Sequence, residues 1–500
     1  MLFNSGVFLK FFAAFLLLFW LARNNLKARN LLIVCASYLF YAWWTPPGAE
    51  KHFADSFTGT ILAVLWQCRF LGLLFGTSLL DFCVGLALNR AVSPRVRQVL
   101  LALSIAANLS VLGFFKYADF FIQSTTNVLA QLGVSAHPQM LGIVLPVGIS
   151  FYTFQSMSYA LDVYRRQIPA TSNFINFLAY VSFFPQLVAG PIERARHLLP
   201  QIERAVVITR AMLEEGIWLI VLGLFKKVVL ADNFAPLVEM VYEQTSFSAP
   251  MVLLGTVAFA LQIYCDFSGY SDIARGTARV LGFDIMWNFN LPYTAVGLRD
   301  FWQRWHISLS TWLRDYLYIG LGGNRRGELR TYFNLLVTML LGGLWHGAAW
   351  HFVLFGAWHA AGLAVERVWS RRLRSTVFET ASSSVVRHST LRRYLSWFTT
   401  MLFVLFGWLL FRAESWHQVV DMTRALGDWS MPSWIENFTW NLLAFALPLA
   451  LLEIWQRRSK NPLVPLTLPG WAKAALQGAL LIGILLFWQK EKLPFIYFQF

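Results

Sequence analysis

An all-α, polytopic membrane protein is the fold class predicted for this chain, and three observations predict it. Hydrophobic residues make up 57% of the 500 and charged residues only 13%, with 22 Trp and 44 Phe, far more apolar surface than one soluble core can bury. The apolar residues fall into windows of roughly membrane-spanning length, separated by basic punctuation. The 41 Lys and Arg, against 26 Asp and Glu, give a net charge of +15 and sit in short loops between those windows. That placement points to orientation of spans by the positive-inside rule and not to nucleic acid.

In chain order, the first window runs from about Val7 to Leu21 and is read as a retained span, because its start lacks a basic cluster and no small-x-small cleavage site follows. Arg23, Lys27 and Arg29 then mark a cytoplasmic loop and put the N-terminus outside. The second window, about Leu31 to Trp44, leads out to Pro46-Pro47; the third, about Phe70 to Leu88, returns to Arg90, Arg95 and Arg97. The fourth is Val99 to Phe115, and the fifth, about Leu141 to Ala160, comes back to Arg165 and Arg166. Arg194, Arg196, Arg204 and Arg210 mark another inside stretch, so the window Phe174 to Ala189 must re-enter or pair with a neighbour.

Later windows cover about Ile217 to Val241, which Lys226 and Lys227 interrupt, then Met251 to Tyr264, Phe333 to Leu344, Phe352 to Ala364, Phe398 to Phe411, Leu442 to Leu452 and Ala474 to Trp488. Arg457, Arg458 and Lys460 inside carry the C-terminus outside. The count comes to about ten to twelve transmembrane or re-entrant helices. The expected organisation is one integral membrane domain over 1–500, with a core at 110–366, a cytoplasmic Ser- and Arg-rich linker at 367–395, and C-terminal helices with an exterior tail at 396–500. Cys35, Cys68, Cys83 and Cys265 show no paired spacing and read as packing residues.

Ionisable groups inside apolar sequence are the candidates for chemistry, because they are costly to keep there. If Trp305 to Tyr318 is one helix, His306, Ser310 and Arg314 recur at i, i+4 and i+8 and share a face, with Trp305, Leu309, Trp312 and Tyr316 on another. The same pattern suits an amphipathic interface helix whose Arg314 and Asp315 pair with neighbours. His346, in GGLWHGAAW, ends an apolar run between glycines that permit close approach of backbone or ligand; a hydrogen-bonded packing role is its rival. A metal cluster of His346, His351 and His359 is not expected, since on one helix the latter two lie about 140° and about 220° from the first. Neither HExxH, CxxC nor GxSxG is present. DFSGYSD (Asp266 to Asp272) and Lys116-Tyr117 are polar clusters at expected span ends, read as interfacial anchors or helix-end hydrogen bonding.

RWHISLSTWLRDYLYIGLGGNR followed by LGGLWHGAAWHFVLFGAWHA resembles the signature of the membrane-bound O-acyltransferase superfamily, in particular its bacterial branch of polysaccharide O-acetyltransferases acting on alginate, cellulose or peptidoglycan. NLLIVCASYLFYAWW, LPVGISFYTFQSMSYALDVYRR, FFPQLVAGPIER and QIYCDFSGYSDIARG are similar to the same branch, so the likeness runs from the N-terminus to about Glu366 and resumes near the end. The resemblance implies helices around a central acyl-transfer tunnel. It implies His346 as general base, His306 as a polarising or orienting partner, and Ser310, Arg314 and Asp315 as supporting tunnel residues. Burial is expected to lower the pKa of both histidines and favour the neutral base.

By the same resemblance, the donor is a cytoplasmic thioester, acetyl-CoA, with no tightly bound cofactor and no metal. The partners are periplasmic acetyltransferase subunits and membrane lipids, in a bacterial inner membrane. The terminal FIYFQF is similar to the aromatic motif of a small partner peptide in the D-alanyl transferase branch, which implies Tyr497 as acyl carrier. Position and composition alone suit an aromatic interfacial anchor. A transporter or flippase of a lipid-linked sugar is the alternative from another class, and a lipid or protein acyltransferase differs only in acceptor.

Overall fold

The computed structural model describes residues 1–43, 57–188, 190–380, 390–488, 493, 495 and 496, and among them the regular elements are all helices. Pro46-Pro47, residues 381–389 of the expected linker, and Tyr497 lie outside the described residues. The chain divides into two compact units. The described residues within 1–224 and 270–286, with Leu493, Phe495 and Ile496, build the first; those within 225–269 and 287–488 build the second.

The first unit holds α1 (Gly6–Ala22), α2 (Leu26–Ala42), α3 (Phe57–Arg90), α4 (Pro94–Leu112), α5 (Ala118–Gln131), α6 (Ile149–Tyr164), α7 (Phe174–Val181), α8 (Phe184–Leu187), α9 (Ala195–Ile202) and α10 (Arg210–Leu224). Polar residues start the first two: Ser5 Oγ accepts from Phe8 N and Asn25 Oδ1 from Ala28 N, the expected N-cap bonds. Phe184 packs edge-on between Phe11 and Phe15, at 5.4 and 5.1 Å. Asp81 of α3 is fully buried and accepts from Ser104 Oγ (2.5 Å) and Asn108 Nδ2 (2.9 Å) of α4 and from Ser156 Oγ of α6, so one carboxylate ties three helices together.

The second unit opens with a π-helical stretch, 225–231, continued by α11 (Asp232–Tyr242) and α12 (Ala249–Val280), whose residues from 270 on count with the first unit. It continues with α13 (Leu298–Arg304), α14 (Ile307–Trp312), a second π stretch at 313–318, α15 (Glu328–His346), α16 (Trp350–Thr380), α17 (Thr390–Arg412), α18 (Trp416–Arg424), α19 (Ile435–Ser459) and α20 (Gly470–Leu486). α15 and α16 form a tight antiparallel hairpin. A Cβ on Gly343 would collide with Phe352 O, and one on Gly356 with Met339 O, so both sites need glycine for the backbones to touch.

Among the described residues, five helical stretches are long and apolar enough to cross a membrane: Cys68–Arg90, Pro94–Gln131, Ala249–Val280, Thr390–Arg412 and Ile435–Ser459. Several sequence expectations change in detail. The window at Leu141 is helical only from Ile149, and the one from Phe174 breaks into α7 and α8, of eight and four residues, too short to span. DFSGYSD lies inside α12 and not at a span end, and Lys116-Tyr117 sits in a π turn at 113–117 that continues α4 into α5. Arg29, read as loop punctuation, is buried on α2 and donates to the carbonyls of Ile202 (2.5 Å) and Arg204 (2.8 Å). Of the four free cysteines only Cys265 is buried; Cys35 and Cys83 face outward from their helices, which removes the packing role expected for them.

Candidate functional site

The two singled-out histidines meet in the second unit, and the reason lies in a break of the chain just before one of them. α13 stops at Arg304, Trp305 is extended (φ −99°, ψ 129°), and His306 takes a left-handed conformation (φ 43°, ψ 54°) before α14 begins at Ile307. Histidine is one of the few residue types enriched there, although the conformation still costs of order 1–2 kcal/mol against a right-handed one. The single helix over Trp305 to Tyr318 considered from the sequence therefore does not form, and its polar stripe dissolves.

The break separates the expected residues. His306 is 0% exposed and packs its ring 4.6 Å from Phe267 of α12 and 5.6 Å from Trp345 of α15. Ser310 instead donates to Trp305 O at 3.0 Å, satisfying a carbonyl at the break. Arg314 lies in the π stretch with its side chain 60% exposed and bonds its neighbour Asp315 at 2.7 Å, an exposed pair of small energetic weight. The structure thus groups His306 with His346, and it gives Ser310, Arg314 and Asp315 local backbone or pairing contacts of their own.

His346 closes α15, and Gly347 after it is extended, so the helix ends at the imidazole. Its ring lies 6.5 Å from that of His306 and 5.2 Å from Trp345. Phe411 of α17 (5.4 Å) and Phe355 of α16 (6.0 Å) stand edge-on against it. Behind this wall Trp408 touches Trp305 (4.7 Å), Phe355 (5.7 Å) and Phe411 (5.7 Å). Two imidazoles in an apolar shell, close enough for one reacting group to lie against both, can move a proton where water is scarce.

Sequence inspection missed that aromatic wall, whose members come from α12, α15, α16 and α17, because Phe and Trp are too common in this chain to signal anything. It also set His359 aside. His359 is buried on α16, accepts from Trp302 Nε1 at 3.2 Å, and lies edge-on 4.6 Å from Phe355, the residue that also faces His346. Among the described residues no three His, Cys, Asp or Glu side chains are grouped to hold a metal ion. A second missed feature is an ion cluster: Lys227 reaches Asp232 at 2.8 Å and Asp266 at 2.9 Å, all three nearly inaccessible. The doubled lysine inside an apolar window and Asp266 of DFSGYSD were its sequence traces, with nothing local to join them.

The family model of the membrane-bound O-acyltransferases matches residues 165–408, a span that contains both histidines and the wall around them except Phe411. A protein of Azotobacter vinelandii named "Probable alginate O-acetylase AlgI" is 41% identical over 437 residues, 86% of this chain and 79% of the relative. The peptidoglycan O-acetyltransferase of Helicobacter pylori is 33% identical over 458 residues, 85% of this chain and 80% of its own length. A teichoic acid D-alanyltransferase of Streptococcus thermophilus is 28% identical over 279 residues, 51% of this chain and 66% of that protein. With buried histidines on a polytopic helical scaffold and likeness of this extent, the chain belongs to the membrane-bound O-acyltransferase family and is a membrane-embedded acyltransferase.

Proposed function

We propose that this chain is an O-acetyltransferase that accepts acetyl from a cytoplasmic thioester, acetyl-CoA, and passes it across the inner membrane for O-acetylation of an exopolysaccharide of alginate type. The observation that carries the reading is the pairing of His306 and His346, ring centroids 6.5 Å apart, inside an apolar aromatic shell. Likeness at 41% identity to an alginate O-acetylase supports the acyl group and the polymer class. His346 is the general base. Its neutral imidazole takes the proton of the accepting hydroxyl, the oxygen bonds to the thioester carbonyl carbon, the C–S bond breaks, and the imidazolium returns the proton to the departing thiolate. His306 orients the thioester carbonyl. General-base catalysis of this kind contributes about 10²- to 10⁴-fold in rate.

Tyr497 is proposed as the carrier hydroxyl that takes acetyl first and hands it to a periplasmic transferase subunit. It lies outside the described residues, but the two before it support a tethered tail: Phe495 and Ile496 are buried in the first unit, and Phe495 rests 4.6 Å from Tyr270. The test is a strain carrying His346→Ala, with polymer export and polymer acetyl content measured together. The expected result is normal export with acetyl content lost, and no acetyl on the C-terminal peptide by intact mass. Full acetylation would overturn the assignment of the base, and lost export would favour a transporter.

A further inference from the structure

His306 is held in its left-handed conformation by a splint outside the helix it precedes. A short α-helix leaves its first N–H groups without intrahelical acceptors, and the usual remedy is a side-chain oxygen on the N-cap residue itself. Here the N-cap is His306, whose side chain makes no capping bond. The acceptors come from the loop between α12 and α13. Asn288 O accepts from Ile307 N at 2.9 Å, and Asn288 Oδ1 accepts from both Ser308 N (3.2 Å) and Ser308 Oγ (2.9 Å). On the other side of the break, Asn290 N donates to Arg304 O at 3.0 Å and Arg304 Nη1 to Asn290 O at 3.3 Å. Between them, the ring of Phe289 lies 5.0 Å from both Phe267 and Trp305.

The segment 288–290 therefore bridges the break on both flanks of His306. Asn288 is 2% and Ser308 0% exposed, so neither can exchange these bonds for water. A left-handed residue persists only where its surroundings over-determine it, and such strain collects at functional positions. We infer that Asn288 is a positioning residue for acyl transfer, which supplies from a distant loop the N-cap of α14 and so fixes the ring of His306 against His346. The inference rests on the proposal that His306 and His346 form the reaction centre. Asparagine suits the task because its carbonyl accepts two bonds in a dry site without adding a charge.

The test is kinetic, on purified full-length protein with radiolabelled acetyl-CoA. Asn288→Ala should lower kcat roughly 10²-fold at unchanged KM, the size of loss a small misplacement of a reacting group produces. Ser308→Ala, which deletes one hydroxyl and keeps the backbone bond, should lower kcat less and in the same direction, and it serves if Asn288→Ala does not fold. Val419→Ala, a buried substitution on α18 far along the chain, is the control for lost stability alone and should leave kcat intact. In a His306→Ala background Asn288→Ala should have no further effect, because the group it positions is gone. Wild-type kcat in both Asn288→Ala and Ser308→Ala, or a full additive loss in the His306→Ala background, would overturn the inference. Full activity of His306→Ala by itself would instead overturn the reading of the site, so the two failures are told apart.

Discussion

Lys227 is where a single substitution should do most damage without touching the histidines. Its ammonium lies 2.8 Å from Asp232 and 2.9 Å from Asp266, and the three side chains are 4%, 8% and 4% exposed, so this is a buried cluster with two carboxylates on one cation. Replacing Lys227 by Met leaves both carboxylates facing each other with their cation removed, and breaking a buried pair in this way costs about 3–5 kcal/mol. For a unit of this size roughly 2–4 °C of midpoint accompanies each kcal/mol, so the melting midpoint should fall by about 6–20 °C. Asp232→Asn leaves one lysine on one carboxylate and should cost much less. The triple change Lys227→Met, Asp232→Asn, Asp266→Asn, which removes these three charges together, should regain most of the loss. Activity should follow, since the residue after Asp266 is Phe267, whose ring lies 4.6 Å from His306. Thermal unfolding of the four purified proteins in detergent is the assay. A midpoint for Lys227→Met within about 2 °C of wild type, or a triple variant no better than the single one, would refute the reasoning.

Two further outcomes test the hairpin and the charged network of the first unit. Gly356→Ala drives a methyl into Met339 O and should cost about 1–3 kcal/mol along with transfer activity, because α15 carries His346; Gly478→Ala, with nothing within 4 Å, should leave both unchanged, as midpoint and acetyl transfer will report. His197 is held between Asp284 and Glu193, whose bonds push its pKa up to about 10. Its charged form therefore stabilises the fold fully below pH 6.5, and that contribution is lost as pH rises through about 10. The midpoint of wild type should fall across that window more than that of His197→Gln, modestly so for a half-exposed group, and parallel curves would refute the assignment.

The membrane class, the helical nature of most spans and the two histidines were legible in the sequence for local reasons. Long apolar windows can satisfy their backbones in a bilayer only as helices, and a histidine in such a window stands out against its background. The motif around each histidine carried the family resemblance, which the comparisons bear out. Local periodicity failed at Trp305-His306. A polar stripe at i, i+4 and i+8 describes a helix only if the backbone stays right-handed, and here it does not.

What only the tertiary structure decided is how residues far apart in the chain meet. Asn288 bonds Ser308 across 20 positions, and His306 and His346 pair across 40. Phe267, Phe355 and Phe411 close around them from three helices. Lys227, read in sequence as an interruption, becomes the centre of an ion cluster once α11 and α12 deliver Asp232 and Asp266 to it. Composition and periodicity are properties of neighbours along the chain, so they determined the solvent this protein lives in and set His306 and His346 apart from their apolar background. How those two side chains meet depends on packing between elements that share no local pattern, and the sequence alone carries no measure of it.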